Sequence, residues 1–130
     1  MCIIIDENTH EIQTAGYLKQ EIIDMLGISF PVGEVKIYPG AIKHIKNTHP
    51  DAFIKYFQDI PSIIENPDYV GVHPKEPNSI ELVKVINEDV LVAIKLDPKG
   101  YLFVSSMYDL TPQKVPKRLL NGRLKPTSKI

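Results

Sequence analysis

The chain of 130 residues lacks tryptophan and has a single cysteine, Cys2. One cysteine cannot form an internal disulfide, so this is not a small disulfide-stabilised domain. The 11 prolines are spread along the chain at points typical of element boundaries, and no repeat or low-complexity stretch divides it. With 43% hydrophobic and 24% charged residues, the composition predicts one compact domain over residues 1–130.

Long apolar runs are missing as well. The longest ones, such as residues 2–5 and 90–94, are far shorter than the roughly 20 residues that cross a bilayer, so we expect no membrane partner. No basic residue precedes the first apolar run and acidic Asp6 and Glu7 follow it, which is unlike a secretion signal. We expect the protein in the cytoplasm, either of the cell that makes it or of a host or target cell into which it is delivered.

An overall excess of positive charge is also missing, because the net charge is −1. That value alone argues against a strongly cationic nucleic-acid binder. Residues 110–130 nevertheless contain no acid and 6 of the 15 basic side chains, which leaves 9 basic against 16 acidic residues elsewhere, a net of −7. This basic patch fits either a phosphate-contacting surface or a solvated helix that simply carries lysines. Its members are Lys114, Lys117, Arg118, Arg123, Lys125 and Lys129.

The hydrophobic periodicity changes once along the chain, near Pro67. Before it the spacing is mainly helical, with one short strand at 34–38. Predicted helices cover 14–26, 41–48 and, after a break at His49-Pro50, a third helix from 50 with a further turn at 60–66. After Pro67 apolar residues alternate, which predicts antiparallel strands at 69–73, 79–87, 90–97 and 101–108, and a last helix from Thr111-Pro112. We therefore expect an α+β fold with N-terminal helices packed on a four-stranded antiparallel sheet.

Two lysines interrupt the apolar faces of the central strands. A two-residue hairpin loop at 88–89 would place Lys84 opposite Ala93, on one face with Lys95. Like charges so close repel each other unless an anion lies between them or both ammonium groups reach water. The pattern therefore allows either an anionic ligand or a solvated pair.

Hydroxyl groups lie side by side on the last strand. Ser106 and Tyr108 share one face, and Ser105 takes the other. A four-residue turn at 97–100 brings Ser106 and Tyr108 to the face of the two lysines, whereas a three-residue turn substitutes Ser105. The pattern leaves both registers open, and it also allows these residues to be simple rim positions.

Of the four histidines, His10 and His73 lie in polar or proline-rich stretches typical of the surface. On a continuous helix His44 and His49 would point about 140° apart, so they can meet only because Pro50 ends the helix. The spacing and the lack of a nearby carboxylate are unsuited to a metal site, and we predict neither metal nor cofactor. The pair is either one interior and one surface histidine, or an acid and a base for catalysis.

These features follow one another in a definite order: His44-Ile-x-x-x-His49, then IPSIIENPDY at 60–69, then strands carrying Lys84 and Lys95, then VSSMY at 104–108. In this the chain resembles the phage-associated branch of the barnase, EndoU, colicin and RelE-like nuclease group, over about residues 35–124. The resemblance implies helices packed on a four-stranded antiparallel sheet and a metal-independent ribonuclease, often a toxin or phage effector. Residues 1–34 would then be an N-terminal helical extension and 125–130 a basic tail.

By the same resemblance His44 and His49 match the helix histidines, Lys84 a strand base, and Ser106 with Tyr108 the last-strand hydroxyl motif. Cleavage of RNA needs a base for the ribose 2′-hydroxyl, an acid for the leaving 5′-oxygen and cations for the phosphorane. We hypothesise that the two histidines share the acid and base roles, Lys84 stabilises the phosphate and Ser106 or Tyr108 orients it. We predict that the substrate is bound by Lys95, Lys114, Lys117, Arg118 and Arg123.

Two other classes of function remain compatible with the sequence. One is a non-catalytic binder of RNA, tRNA included, in which the basic tail provides the affinity. The other is a protein-binding module, such as an inhibitor of a host or phage factor. If the chain is a toxin-like nuclease, a protein inhibitor or immunity partner is expected.

Overall fold

The protein, described here by a computed structural model of residues 3–127, has one seven-stranded mixed sheet. The strands are β1 (Gln13–Leu18), β2 (Gly33–Ile37), β3 (Tyr69–Val72), β4 (Ser79–Val85), β5 (Asp89–Leu96), β6 (Leu102–Leu110) and β7 (Lys125–Pro126). The helices are α1 (Gln20–Leu26), α2 (Pro39–Thr48), α3 (Pro50–Tyr56), α4 (Ile60–Glu65) and α5 (Lys114–Leu120), with a 3-10 turn at Phe57–Asp59. Cys2 and Lys129, singled out above, lie outside the described residues.

The predicted four-stranded antiparallel sheet is wrong. The strand order is β1-β2-β6-β5-β4-β3-β7, so the expected meander β3 to β6 is present but is extended at both edges. On one side β2 runs parallel to β6, pairing Val35 with Leu102, and β1 completes that edge. On the other side β7, at the start of the predicted basic tail, pairs with β3. The parallel pair joins segments far apart in sequence, which no local periodicity can reveal.

The predicted helix at 14–26 is correct only in its second half. Residues 13–18 form β1, and α1 then ends at Gly27, whose φ of 66° is the left-handed conformation expected of a helix C-cap. In β1 the backbone passes close to α4, because a Cβ on Gly16 would lie 3.1 Å from the Ile64 side chain. The segment predicted as a helical extension therefore contains β1, α1 and the start of β2, and both strands are part of the common sheet.

Each face of the sheet has its own hydrophobic core. The larger core lies between one face and helices α1 to α4 and contains fully buried Ile22, Ile45 and Ile63. The smaller core lies on the opposite face, where α5 covers part of the sheet. Its buried members are Val83, Leu91, Leu110, Val115 and Leu124. Because α5 is short, the remainder of this second face stays available for a site.

The register of the central hairpin differs from the predicted one by three residues. Lys84 pairs with Val90 rather than Ala93, and Lys95 pairs with Ser79. An odd shift exchanges faces, so the two lysines project to opposite sides of the sheet. Both faces of β4 are buried, as the neighbours Leu82 and Val83 at 0% exposure show, so hydrophobicity along the strand could not select the register.

A buried tyrosine fastens α3 to the turn between β4 and β5. The Tyr56 hydroxyl donates a 2.7 Å hydrogen bond to Glu88 Oε1, and the ring is 2% exposed. This contact fixes the helix that follows His49 against the sheet that carries the candidate site.

Burial, and secondarily the hydrogen bond to Glu88, raises the pKa of Tyr56 to about 12. Because the folded-state pKa lies above the unfolded value, this tyrosine contributes stability that is complete below pH 10 and is lost as the pH rises through about 12. We expect Tyr56→Phe to make the alkaline decline of the unfolding free energy shallower, measured by urea denaturation across that range. An unchanged decline would contradict the buried hydroxyl.

Candidate functional site

The predicted break between the second and third helices is confirmed, and it presents His49. This residue ends α2 and precedes α3, with φ −132° and ψ 61°, outside the helical range. Its N–H donates to Ile45 O at 2.8 Å and its carbonyl accepts from Phe53 N–H at 2.9 Å. The backbone of His49 is thus hydrogen-bonded to the helix on each side, and these bonds fix the point from which the imidazole projects.

The His49 imidazole lies against the ring of Tyr108, with centroids 5.2 Å apart and planes inclined at 32°. The His44 ring lies 6.3 Å from that of His49, nearly perpendicular to it. His44 is exposed, whereas His49 and Tyr108 are partly buried. The contact forms at the edge of β6, which pairs with β2 only through Leu102 and Phe103 and is approached by α2 and α3 beyond that point.

The side chains of Ser106 and Tyr108 share one face of β6, the one opposite the larger core. They pair across the sheet with Ala93 and Leu91, while Ser105 lies at a bulge and donates its hydroxyl to Ala93 O at 3.3 Å. Burial chiefly, and the Glu81 carboxylate, raise the pKa of Tyr108, whereas neighbouring arginines lower it. Tyr108 therefore stays a neutral hydroxyl that can donate a hydrogen bond.

One of those arginines, Arg118, is buried without a full set of partners. It lies on α5 beside Tyr108, is 9% exposed, and its Nη1 has no hydrogen-bond partner within residues 3–127. Leaving such a donor unsatisfied costs on the order of 1–3 kcal/mol, more for a charged group. Arg118 also lines a cavity of about 310 Å³. The other basic side chains lining it are Lys114, Lys117 and Arg123.

The other arginine is held by a buried carboxylate. Arg123 Nε and Nη2 donate to the two oxygens of Glu81 at 2.8 and 2.7 Å, a bidentate pair in which Glu81 is 1% exposed. The Glu81 carboxylate raises the pKa of Arg123. The backbone at Arg123 lies so close to β3 that a Cβ on Gly71 would be 1.8 Å from the Arg123 carbonyl oxygen. Only glycine fits there, so the position of the guanidinium is fixed from two sides.

We call the surface formed by His44, His49, Ser106, Tyr108, Arg118 and Arg123 the β6 site. Tyr108 connects its two halves, because it touches His49 on one side and lies near the two arginines on the other. Of the predicted substrate-binding residues, Lys114 and Lys117 lie around the adjoining cavity. Lys95 lies on the same sheet face but further along it, where its Nζ contacts Glu76 Oε2 at 2.9 Å.

Lys84 is not brought to the β6 site. It projects from the opposite face of the sheet, and its Nζ donates to the Asn66 carbonyl at 2.8 Å. The expected grouping of Lys84 with Lys95, Ser106 and Tyr108 is therefore wrong on the position of Lys84. The physical reason is that the β4–β5 register differs by three residues from the predicted one, so the Lys84 side chain lies on the other face of the sheet.

Sequence reasoning missed Glu81 and Gly71. A signal for Glu81 was present, because a single carboxylate within the apolar run 80–83 needs a buried cationic partner. Nothing local marks Gly71, whose role comes from a segment more than 50 residues away.

Within residues 3–127, no three or more histidine, cysteine, aspartate or glutamate side chains gather in a group that could hold a metal ion. In that same range no helix has both the length and the apolar character needed to cross a membrane.

A family model described as phage-Barnase-EndoU-ColicinE5/D-RelE like nuclease3 matches residues 12–117. The match begins at β1 and ends within α5, so it includes all residues of the β6 site except Arg118 and Arg123. None of the curated proteins and none of the solved structures compared with the chain matches it.

Proposed function

The chain belongs to the phage-Barnase-EndoU-ColicinE5/D-RelE like nuclease family, and we propose that it is an endoribonuclease that cleaves RNA at the β6 site by metal-independent transesterification. The observation that carries this proposal is the packing of His49 on Tyr108 beside the unsatisfied, buried guanidinium of Arg118. An imidazole, a neutral hydroxyl and a guanidinium with one unbonded nitrogen thus lie next to one another. A phosphodiester offers a matching partner to each of them.

The reaction requires two proton transfers on opposite sides of the phosphate. One imidazole removes the proton of the ribose 2′-hydroxyl, and the 2′-oxygen forms a bond to phosphorus. The bond from phosphorus to the 5′-oxygen breaks, and the other imidazole gives that oxygen a proton. The products are a 2′,3′-cyclic phosphate and a free 5′-hydroxyl. The 6.3 Å between the rings of His44 and His49 leaves room for a phosphate between them.

The remaining residues of the site supply positive charge and hydrogen bonds. The phosphorane gains negative charge on its oxygens, and donors held in place beforehand stabilise that charge. Arg118 Nη1 is such a donor, because no other group among the described residues accepts from it. Tyr108 and Ser106 orient the phosphate through their hydroxyls, and Lys114 and Lys117 attract the neighbouring phosphates of the strand.

The proposal is tested with purified protein and an RNA oligonucleotide in the presence of EDTA. We expect cleavage products that end in a 2′,3′-cyclic phosphate, detected by mass spectrometry. Replacing the ribose at the cut position by deoxyribose removes the attacking hydroxyl, and cleavage there should stop. Products with a 3′-hydroxyl, or equal cleavage of the deoxy substrate, would exclude this mechanism.

The same preparation separates the alternative functions. A non-catalytic RNA binder would retard the oligonucleotide without cutting it, with an affinity that falls steeply with salt. A protein-binding module would do neither. We also propose that a toxin-like nuclease of this kind is controlled by a protein inhibitor, and that tRNA is among its substrates.

Substitution of Arg118 by methionine tests the role of the free guanidinium. We expect kcat/KM for RNA cleavage to fall about 10²- to 10³-fold, because one preorganised donor to the phosphorane is lost. Stability should stay the same or rise, since the buried donor without a partner disappears. The control is Lys125→Met on β7, outside the cavity, which should cut normally. A parallel loss of stability and activity in Arg118→Met would instead indicate a structural role.

A further inference from the structure

Three aromatic side chains form a cluster beyond the β6 site. Tyr38 precedes α2, Tyr101 lies in the turn between β5 and β6, and Phe103 is on β6. The ring centroids are 6.1 Å apart for Tyr38 and Tyr101, 6.4 Å for Tyr38 and Phe103, and 6.1 Å for Tyr101 and Phe103. All three rings are partly exposed, so this cluster is not interior packing.

The rings border an open cavity of about 400 Å³, which we call the aromatic pocket. Its other lining includes Ala41, Val104 and Ser105, so the walls are largely apolar. The neighbouring Tyr38 hydroxyl, burial and the Asp97 carboxylate raise the pKa of the Tyr101 hydroxyl. The pocket therefore presents neutral aromatic faces to whatever enters it, with one carboxylate, that of Asp97, at its border.

Two ammonium groups lie beside the aromatic faces. The Nζ of Lys36 lies 5.2 Å from the centroid of the Tyr101 ring, and Lys95, which also contacts Glu76, lines the pocket. Flat apolar faces next to ammonium groups are the combination with which proteins bind single-stranded nucleic acid, because a base stacks while its phosphate meets a cation. An aliphatic or anionic ligand would use only one of the two features.

The aromatic pocket continues into the β6 site along one strand. Phe103 pairs with Lys95, on the sheet face that also carries Ala93 and Ser106. Phe103 and Ser106 pair with Lys95 and Ala93, which are two residues apart on β5, so across the bulge they lie about 7 Å apart along the strand. A strand of RNA whose phosphate occupies the β6 site can therefore reach the pocket with a neighbouring base.

We propose that the aromatic pocket binds one unpaired nucleobase of the RNA substrate, next to the phosphodiester held at the β6 site. The base stacks on Tyr101 and Phe103, and Lys36 and Lys95 hold the adjacent phosphates. It follows that the enzyme acts on single-stranded segments, since a base within a duplex cannot enter. This inference rests on the proposed ribonuclease function and adds the class of RNA.

The test uses the His49→Ala variant, so that RNA is bound without being cut. Fluorescence anisotropy compares a labelled single-stranded RNA with the same sequence in a duplex and with copies that lack one base at successive positions. We expect the duplex to bind more weakly, and one abasic position to weaken binding about 5- to 100-fold. Equal binding of all these RNAs, or no binding of any, would overturn the proposal.

Pocket variants in the same background locate the effect. Tyr101→Ala and Phe103→Ala should each weaken binding of intact RNA about 5- to 100-fold and abolish the difference from the abasic copy. Tyr17→Ala removes an exposed tyrosine of β1 outside the pocket and should bind as the parent does. Normal binding by both pocket variants would contradict the assignment. If a variant fails to fold, the abasic comparison in the parent still decides.

Because the protein has no tryptophan, a tryptophan placed in the pocket gives a second, independent signal of base binding. Tyr101→Trp introduces a single tryptophan, and stacking of a base on it should quench its fluorescence with single-stranded RNA but not with the duplex. A protein that binds RNA in this way but cuts none refutes the ribonuclease function alone. A protein that cuts RNA while its pocket variants bind normally refutes the pocket alone.

Discussion

Replacement of His49 by alanine is expected to lower the rate of RNA cleavage about 10²- to 10⁴-fold, the range observed when a group that transfers protons is removed. His49 lies where the broken helix meets Tyr108, and its backbone is bonded within the helices on both sides. The substitution removes an imidazole without removing a core contact. We therefore expect the urea midpoint to change little.

The pair of histidines gives a sharper form of the same experiment. If His44 and His49 serve one reaction as acid and base, the double variant should lose little more activity than the single variants, because each already disables the shared step. His10→Ala, which removes an exposed histidine that is not part of the β6 site, is the matched control and should cut at the normal rate. Unchanged cleavage by both His44→Ala and His49→Ala would refute histidine catalysis.

Removal of the Glu81 carboxylate is expected to have the largest effect on stability. Glu81→Ala leaves the Arg123 guanidinium, whose side chain is 22% exposed, without its bidentate partner, which costs about 3 kcal/mol of unfolding free energy. That amount is a large part of the stability of a domain of this size. Urea denaturation monitored by circular dichroism measures it.

Two control variants show whether the loss of stability in Glu81→Ala comes from burial of the ion pair or from the loss of a charge. Glu76→Ala breaks an exposed pair with Lys95 and should cost less than about 1 kcal/mol. The double variant Glu81→Leu with Arg123→Met removes both charges together and should recover much of the loss, because no unpaired ion is left. If Glu81→Ala were no more damaging than Glu76→Ala, the buried pair would not hold this segment in place.

Activity adds a further expectation for the double variant. A chain that regains stability but lacks Arg123 should still cut RNA slowly, because the guanidinium near Tyr108 is missing. Full activity would show that Arg123 serves the fold alone.

The helices and strands were predictable where a local pattern sets them. The alternation after Pro67 identified the meander β3 to β6, and Pro50 identified the break that presents His49. The family resemblance, which rested on the order of residues along the chain, is confirmed by the match over 12–117. Each of these features depends on residues that are close together in the sequence, so it can be predicted from the sequence.

The β6 site was predictable only in part. The residue types were recognisable, and His49 and Tyr108 are brought together. The placement of Lys84 was not recognisable, because β4 is buried on both faces and hydrophobicity along the strand does not favour one register over the other. Two of the features that define the site, the Glu81 pair and the close approach at Gly71, arise between segments distant along the chain.

The amino-acid sequence alone determines three features: the order of most elements, the helix break at Pro50 and membership of a nuclease family. The three-dimensional arrangement alone determines that β2 joins β6 in parallel, that Lys84 and Lys95 face opposite ways and that Arg118 keeps a free donor beside Tyr108. The reason is that periodicity records which residues avoid water, whereas pairing between remote strands depends on which surfaces fit when the whole chain is compact.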